Sequence, residues 1–120
     1  MQPEFKITRV FSDEKGDSRF EEISVPLKDS GEIGFLSDLF SAKGIIFREV
    51  KASYDYDFHN TPRKQYLVLV DGGIIIETST GEKRTFRSGQ VLLLEDTGGK
   101  GHRTRNLENR RRRSVFIPVE

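Results

Sequence analysis

Residues 58–65 read FHNTPRKQ, residues 98–106 read GGKGHRTRN, and three strand-like runs lie between these two segments. The segments contain His59 and His102, which are the only histidines of the chain. A barrel of β-strands brings strands that are distant in sequence face to face across its interior. We therefore expect the two histidines to share one pocket.

The length and composition predict one domain, residues 1–120, that folds without disulfides. A chain of 120 residues is near the commonest domain size and buries most of the surface that it exposes when unfolded. The absence of cysteine excludes disulfides, thiolate catalysis and cysteine-bound zinc. No apolar run approaches the ~20 residues that span a bilayer, and residues 1–6 lack the apolar core of a signal peptide. We expect a cytoplasmic protein with no membrane partner.

The charges of the chain give no overall preference for nucleic acid, because 20 basic and 19 acidic side chains nearly cancel. The local exception is the run Arg110 to Arg113, which follows Arg103 and Arg105 and would be able to neutralise phosphates. We interpret these arginines instead as the exposed end of a hairpin that turns at residues 106–109. Nucleic-acid-binding modules usually show a wider basic face with interleaved aromatic residues.

Short apolar or alternating runs separated by glycine turns predict an all-β fold. The strands are expected at residues 5–11, 19–25, 45–51, 65–70, 74–78, 82–86, 91–94 and 113–119. The first is expected to be an edge or arm strand, and Pro26 ends the second or confines it to a sheet edge. Asp71-Gly72 predicts a two-residue hairpin turn, residues 28–34 a loop, and residues 35–40 either a short helical turn or an apolar plug. This spacing of strands indicates a small barrel or sandwich.

The strand at residues 65–70 is apolar on both faces. If His59 points inward, Gln65, Leu67 and Leu69 do so too, and residues 66, 68 and 70 face outward. A strand of this kind must be covered twice, by the N-terminal strands or by another subunit. We expect a homodimer.

The motif spacing resembles the cupin superfamily, whose two motifs are G-x5-H-x-H-x3-4-E-x6-G and G-x5-P-x-G-x2-H-x3-N. The matching positions are His59, Thr61, Gln65 and Gly72 in the first motif and Gly89, Gly99, His102 and Asn106 in the second. Residues 59–65 and 95–102 also look like a set of small single-domain cupins. The resemblance implies a cupin-type double-stranded β-helix, or jelly-roll barrel, with N-terminal strands in residues 1–44. Its first motif would lie in residues 53–72, its second in residues 89–106 and its closing strand in residues 113–119.

The departures from the cupin motifs bear on metal binding. Metal-binding cupins typically supply three histidines and a glutamate, but Thr61 and Gln65 take two of those places here. Ser53 and Thr97 replace a motif glycine and a motif proline. His59, Gln65 and His102 would therefore form a weak site for iron, nickel, manganese, copper or zinc, since all three ligands are neutral. The alternative is that the two histidines only form hydrogen bonds inside a polar pocket.

Three functions are compatible with these residues, two of them enzymatic. The first is a metal-dependent oxygenase, isomerase or hydrolase that acts on a small organic acid or keto compound. The second resembles the metal-free cupin epimerases and ketoisomerases, with His59 or His102 as the base and a tyrosine as the acid. Asp96 or Glu95 would orient the base. Tyr54 or Tyr56 would be the acid, because Tyr66 faces outward.

The third function is a binding module without chemistry, whose barrel mouth holds a small ligand. Arg63 or Lys64 would hold an anionic ligand by charge-assisted hydrogen bonds, and Leu67 and Thr104 would complete the ligand-binding set. No motif in the sequence selects one of the three functions or decides whether the protein is an enzyme.

Overall fold

A computed structural model describes residues 3–120, which form twelve β-strands and one 3-10 turn at Gly31–Ile33. The strands are β1 Glu4–Ser12, β2 Ser18–Pro26, β3 Lys28–Asp29, β4 Phe35–Leu36, β5 Ile46–Val50, β6 Asp55–His59, β7 Gln65–Leu69, β8 Ile74–Thr78, β9 Lys83–Phe86, β10 Val91–Leu94, β11 His102–Asn106 and β12 Arg112–Pro118. Met1 and Gln2, with which the predicted N-terminal region begins, lie outside the described residues. Within residues 3–120, no helix has the length and apolar character needed to cross a membrane.

Two open sheets enclose the core. One sheet has six strands in the order β2-β1-β10-β7-β12-β5, and the other has four in the order β6-β11-β8-β9. The core between them consists of buried aliphatic and aromatic side chains from both sheets, namely Val10, Leu67, Leu69, Ile74, Ile76, Phe86, Leu92 and Leu94. The predicted all-β jelly-roll fold is confirmed, with the difference that neither sheet closes into a complete barrel.

The predicted hairpin at Asp71-Gly72 is wrong, because β7 and β8 belong to different sheets. A two-residue hairpin turn of this composition needs positive φ at both central residues, but only Gly72 has it, at 67°. The Asp71 carboxylate instead accepts hydrogen bonds from the backbone N–H and the Nε of Arg113, at 2.5 and 2.9 Å. These bonds hold Asp71 against β12 at the corner, residues 71 and 72, where the chain crosses from one sheet to the other.

The hairpin predicted around residues 106–109 is also wrong. β11 pairs with β6 and β8, whereas β12 pairs with β5 and β7 in the other sheet. The arginines at positions 110, 111 and 113 are exposed as expected, but Arg112 is only 2% exposed. The alternation of β12 turns Arg112 and Ser114 toward the space between the sheets. The predicted exposed arginine run therefore contains one interior member.

The N-terminal strands differ from the expectation in order. β1 is an interior strand that lies between β2 and β10 and runs parallel to β10. The prediction of an edge strand is therefore wrong for β1. β2 is the edge strand and ends at Pro26, as the proline indicated. The predicted loop at residues 28–34 contains β3 and the 3-10 turn.

No helical turn forms at residues 35–40, where β4 pairs with β3 instead. Phe35, Leu36 and Phe40 lie over the outer face of the six-stranded sheet and line a groove with Tyr66. The inner and outer faces of β7 alternate as expected, with Gln65, Leu67 and Leu69 buried. Beyond that groove, Phe47 on β5 is 77% exposed. Homodimerisation through this outer face stays a prediction.

Candidate functional site

A cavity of about 390 Å³ lies between the two sheets. The six-stranded sheet contributes Ile46, Arg48, Gln65, Leu67, Leu94 and Phe116 to its wall. The four-stranded sheet contributes Tyr56, His59, Ile76, His102 and Thr104. The segment before β6 and the connection from β6 to β7 add Tyr54, Asn60, Thr61, Pro62 and Arg63. The walls combine apolar side chains with a few polar ones, which is typical of sites for small organic ligands.

The cavity brings together eight of the residues that the sequence singled out for the site. They are His59, His102, Tyr54, Tyr56, Gln65, Arg63, Leu67 and Thr104. Their roles as catalytic, metal-binding or ligand-binding residues stay predictions. Tyr66 lies in the groove on the outer face, as the alternation of β7 predicted. Lys64 does not line the cavity and forms an ion pair with Glu95 at 3.2 Å.

His102 is held by the glycine that precedes it and by a carboxylate. Gly101 has a φ of 77°, and a Cβ at this position would collide with the backbone carbonyl of His59. The backbone thus enters β11 directly opposite His59 on β6. Nδ1 of His102 lies 2.5 Å from Oδ2 of Asp96. Of the two predicted orienting carboxylates, the structure brings Asp96 to this ring, whereas Glu95 pairs with Arg9 and Lys64.

Asp96 is fully buried and accepts two further hydrogen bonds. Thr61 Oγ1 donates to Oδ1 at 2.7 Å, and Ser18 Oγ donates to Oδ2 at 2.8 Å. Because both hydroxyls donate, the carboxylate serves as the acceptor for Nδ1–H of His102. In the neutral ring this leaves the lone pair on Nε2, the nitrogen available to the cavity. Thr61, which takes the place of the second motif histidine, thus holds the carboxylate that contacts His102.

His59 lies beside His102, with 4.7 Å between the ring centroids. Its Nδ1 is 2.8 Å from the carbonyl oxygen of Asp57, so Nδ1 carries the proton and Nε2 holds the lone pair. The ring stacks on Tyr56 at a centroid distance of 3.9 Å. Burial lowers the pKa of His59, and the nearby His102 and Arg48 lower it further against the opposing effects of Asp57 and Asp96. The ring is therefore neutral at pH 7.

The donor set does not fit the three-histidine, one-glutamate metal centre typical of cupins. The available donors are two imidazole nitrogens and the neutral amide of Gln65. Within residues 3–120 there is no group of three or more histidine, cysteine, aspartate or glutamate side chains placed to hold a metal ion. A carboxylate behind a histidine is also common where that histidine binds a metal, but the Asp96 carboxylate contacts His102, Thr61 and Ser18 and adds no anionic ligand to the two imidazoles. We derive no chemical step through a metal.

The N-terminal hairpin supports the loop that leads to His102. The backbone N–H of Lys100 donates to the carbonyl of Gly16 at 2.8 Å, and its side chain pairs with Asp17 at 3.0 Å. Ser12 Oγ donates to the carbonyl of Gly98 at 2.7 Å. Together with the Ser18 to Asp96 bond, these contacts make the turn between β1 and β2 part of the site's support. The motif spacing contains no signal for them.

Sequence reasoning also missed Arg48, which lines the cavity from β5. A signal existed, because Ile46, Arg48 and Val50 are alternate residues of β5 and alternate residues of a strand share one face. A single charged residue on the inward-pointing, otherwise apolar face of a strand indicates a candidate site residue.

Comparisons with known proteins found similarity to solved structures but not to protein families or curated proteins. No protein-family model matches the sequence, and no curated protein matches it. Among solved structures, protein NMB1881 from Neisseria meningitidis superposes with a TM-score of 0.51 at 23% identity, over 68% of this chain and 79% of that chain. The Cnp3 cupin domain from Schizosaccharomyces pombe gives 0.49 at 9% identity, over 99% and 84%. A protein described as ethanolamine utilization protein Q from Salmonella typhimurium gives 0.43 at 14%, over 98% and 99%.

Likeness at this level of identity concerns the fold alone. The fold also has its own support in the chain, since the two motif histidines lie opposite each other on β6 and β11 and face a cavity between two sheets. The chain has an all-β jelly-roll fold.

Proposed function

We propose that this protein is an enzyme that moves a proton at a carbon atom next to a carbonyl group of a small organic molecule, as in epimerisation or isomerisation. The observation that carries the proposal is the buried contact of 2.5 Å between Asp96 and Nδ1 of His102. A histidine held by a carboxylate at one nitrogen acts as a general base at the other. Two hydroxyl groups hold that carboxylate in turn, so the geometry of the base is set before any ligand binds.

His102 is the base in this proposal. Its Nε2 takes the proton from the substrate carbon, and the electron pair of the broken C–H bond moves toward the carbonyl oxygen to form an enolate. The ring becomes an imidazolium, whose Nδ1–H the Asp96 carboxylate stabilises. Gln65 and Asn60 line the same cavity, and their side-chain amides are suited to stabilise the negative oxygen, although Asn60 also donates to the carbonyl of Gly99.

A tyrosine completes the reaction as the acid. Tyr54 and Tyr56 both line the cavity, with ring centroids 6.2 Å apart. One of them returns a proton to the opposite face of the carbon or to its neighbour, and exchange with water restores both groups. Tyr56 also stacks on His59, which keeps that neutral ring beside the base. Replacing each tyrosine in turn with phenylalanine shows which of the two is the acid, because phenylalanine keeps the ring and removes the hydroxyl.

The test is deuterium exchange at the carbon next to the carbonyl, followed by proton NMR in D₂O. The substrates are C3–C6 2-oxo acids and, as neutral compounds, ketoses of similar size. We expect exchange above the protein-free rate, and a loss of at least about 100-fold in His102→Gln. Glutamine is still able to donate to Asp96 but cannot take up the proton. Arg113→Gln, an exposed change outside the cavity, is the matched control and should exchange at the wild-type rate.

Two results would contradict the proposal. One is the absence of exchange with every compound. The other is exchange that survives in His102→Gln. Elemental mass spectrometry of the tag-free protein accompanies the assay. Near-stoichiometric metal that is lost in a His59→Ala, His102→Ala double variant would favour the metal-dependent alternative instead.

A further inference from the structure

Two arginine side chains lie between the sheets without an acidic partner. Arg48 on β5 and Arg112 on β12 both flank the ring of Tyr54, with guanidinium carbons 5.7 and 5.3 Å from its centroid. Neither forms an ion pair with an acidic side chain of residues 3–120. Two neighbouring positive charges in a protein interior repel each other and lose hydration, so this arrangement is costly unless an anion offsets it.

Arg112 is the more deeply buried of the pair. Its Nε donates to Oδ1 of Asn106 at 2.7 Å. Its terminal nitrogens Nη1 and Nη2 are buried and have no hydrogen-bond partner among residues 3–120. Burial and the charge of Arg48 lower its pKa to about 10, which still leaves the guanidinium charged at pH 7. The stacking on Tyr54 contributes some stabilisation, but it satisfies none of the terminal N–H groups.

Arg48 is only partly buried and lines the cavity. Its Nε donates to Ser114 Oγ at 3.0 Å, and its guanidinium carbon lies 4.4 Å from the centroid of the Phe116 ring. These two contacts fix the plane of the guanidinium group. A fixed guanidinium presents two parallel N–H groups that match the two oxygens of a carboxylate.

The nearby acidic side chains are engaged elsewhere. Glu49, the neighbour of Arg48 in sequence, is exposed and pairs with Arg111 at 3.7 Å. Asp71, which contributes to the field at Arg112, binds the side chain and backbone of Arg113. Neither carboxylate is therefore an ionic partner of the arginine pair.

We infer that the cavity binds the carboxylate of a small organic acid, with Arg48 in direct contact and Arg112 behind Tyr54 as a second positive charge. Arg48 belongs to the six-stranded sheet and His102 to the four-stranded sheet, so the two groups act from opposite walls. A carboxylate on one wall would present a carbonyl-bearing carbon chain to the base on the other. That placement of the carbon chain rests on the proposed function, whereas the carboxylate site rests on the arginines alone.

Isothermal titration calorimetry with C3–C6 straight-chain 2-oxo acids tests the inference, and the neutral primary amide of each acid serves as the uncharged comparison. We expect the acids to bind the wild type and to bind Arg48→Gln about tenfold to a hundredfold more weakly, as for a lost charge-assisted hydrogen bond. Arg112→Met should weaken binding by about threefold to tenfold, because this arginine acts through its field. Arg113→Gln, on the same strand as Arg112 but exposed, should bind as the wild type does.

The amides distinguish a loss of charge recognition from a general structural effect of the substitution, because they carry no charge. We expect each amide to bind more weakly than its acid, and with the same affinity in the wild type and the variants. The inference is overturned if no acid binds the wild type at millimolar concentration, or if Arg48→Gln binds the acids as tightly as the wild type does. Circular dichroism spectra show whether each variant is folded.

The titrations and the deuterium-exchange assay together distinguish this inference from the proposed function. Acid binding that depends on Arg48 but is accompanied by no deuterium exchange supports the carboxylate site and contradicts the proposed enzyme. Exchange that occurs with ketoses, together with acid binding that is indifferent to Arg48, supports the enzyme and overturns the carboxylate site.

Discussion

The histidine network, formed by Asp96, His102, Thr61 and Ser18, and the arginine pair, Arg48 and Arg112, are two polar clusters in the interior of one small jelly roll. In the histidine network both oxygens of Asp96 have partners within the chain. In the arginine pair the terminal nitrogens of Arg112 have no hydrogen-bond partner in the part of the chain that the structure describes. Buried polar groups are usually satisfied, and the exceptions need an explanation. In our proposals, the network positions the catalytic base and the arginine pair binds an anionic ligand.

The largest expected difference between the two clusters is in stability. Asp96→Ala removes the acceptor of three buried donors, and we expect it to lower the free energy of unfolding by about 3 kcal/mol. Arg112→Met replaces an unpaired buried charge with an apolar side chain of similar length, and the change should stay within about 1 kcal/mol of zero. Urea denaturation followed by circular dichroism measures both. If Arg112→Met is as damaging as Asp96→Ala, the arginine is a structural residue and the contrast fails.

A smaller effect is expected where the backbone delivers His102 to the network. Gly101→Ala places a Cβ on a residue with a φ of 77° and against the carbonyl of His59. We expect a loss of about 2 kcal/mol in the free energy of unfolding, because the residue must leave the left-handed region or push β6 away. Gly98→Ala is the matched control in the same loop, since a Cβ there meets nothing within 4 Å and φ is not positive. Equal destabilisation by both changes would show that the left-handed turn is not what holds His102.

The smallest effect concerns pH and tests whether His59 is neutral in the folded protein. Its pKa is lower when folded, so the unfolded chain binds more protons than the folded chain between the two pKa values. The titration of His59 therefore leaves the free energy of unfolding unchanged above the unfolded pKa of about 6.5 and lowers it as the pH falls below that value. We expect the melting temperature of the wild type to fall more steeply from pH 7 to pH 5 than that of His59→Gln. Parallel curves at constant ionic strength would contradict a lowered pKa.

Sequence reasoning reached much of the candidate site because motif spacing constrains where strands begin and end. The positions of His59, Gln65 and His102 relative to the glycine turns predicted that they face one cavity, and they do. Adjacent residues such as Glu95 and Asp96 left the orienting carboxylate open, because a local pattern does not say which of two neighbours turns inward. Only the packed structure shows that Asp96 is buried and that Glu95 binds Arg9 and Lys64.

The sequence by itself determined the all-β class, the alternation of β7 and the glycine-rich approach to His102, since each depends on residues close together in the chain. Only the tertiary structure decided that Asp71-Gly72 is a corner between sheets, that Ser18 reaches Asp96, and that Arg112 is buried. These features depend on pairing between strands far apart in sequence. Several pairings satisfy the same local pattern, and the choice among them is made by the packing of two sheets around one core.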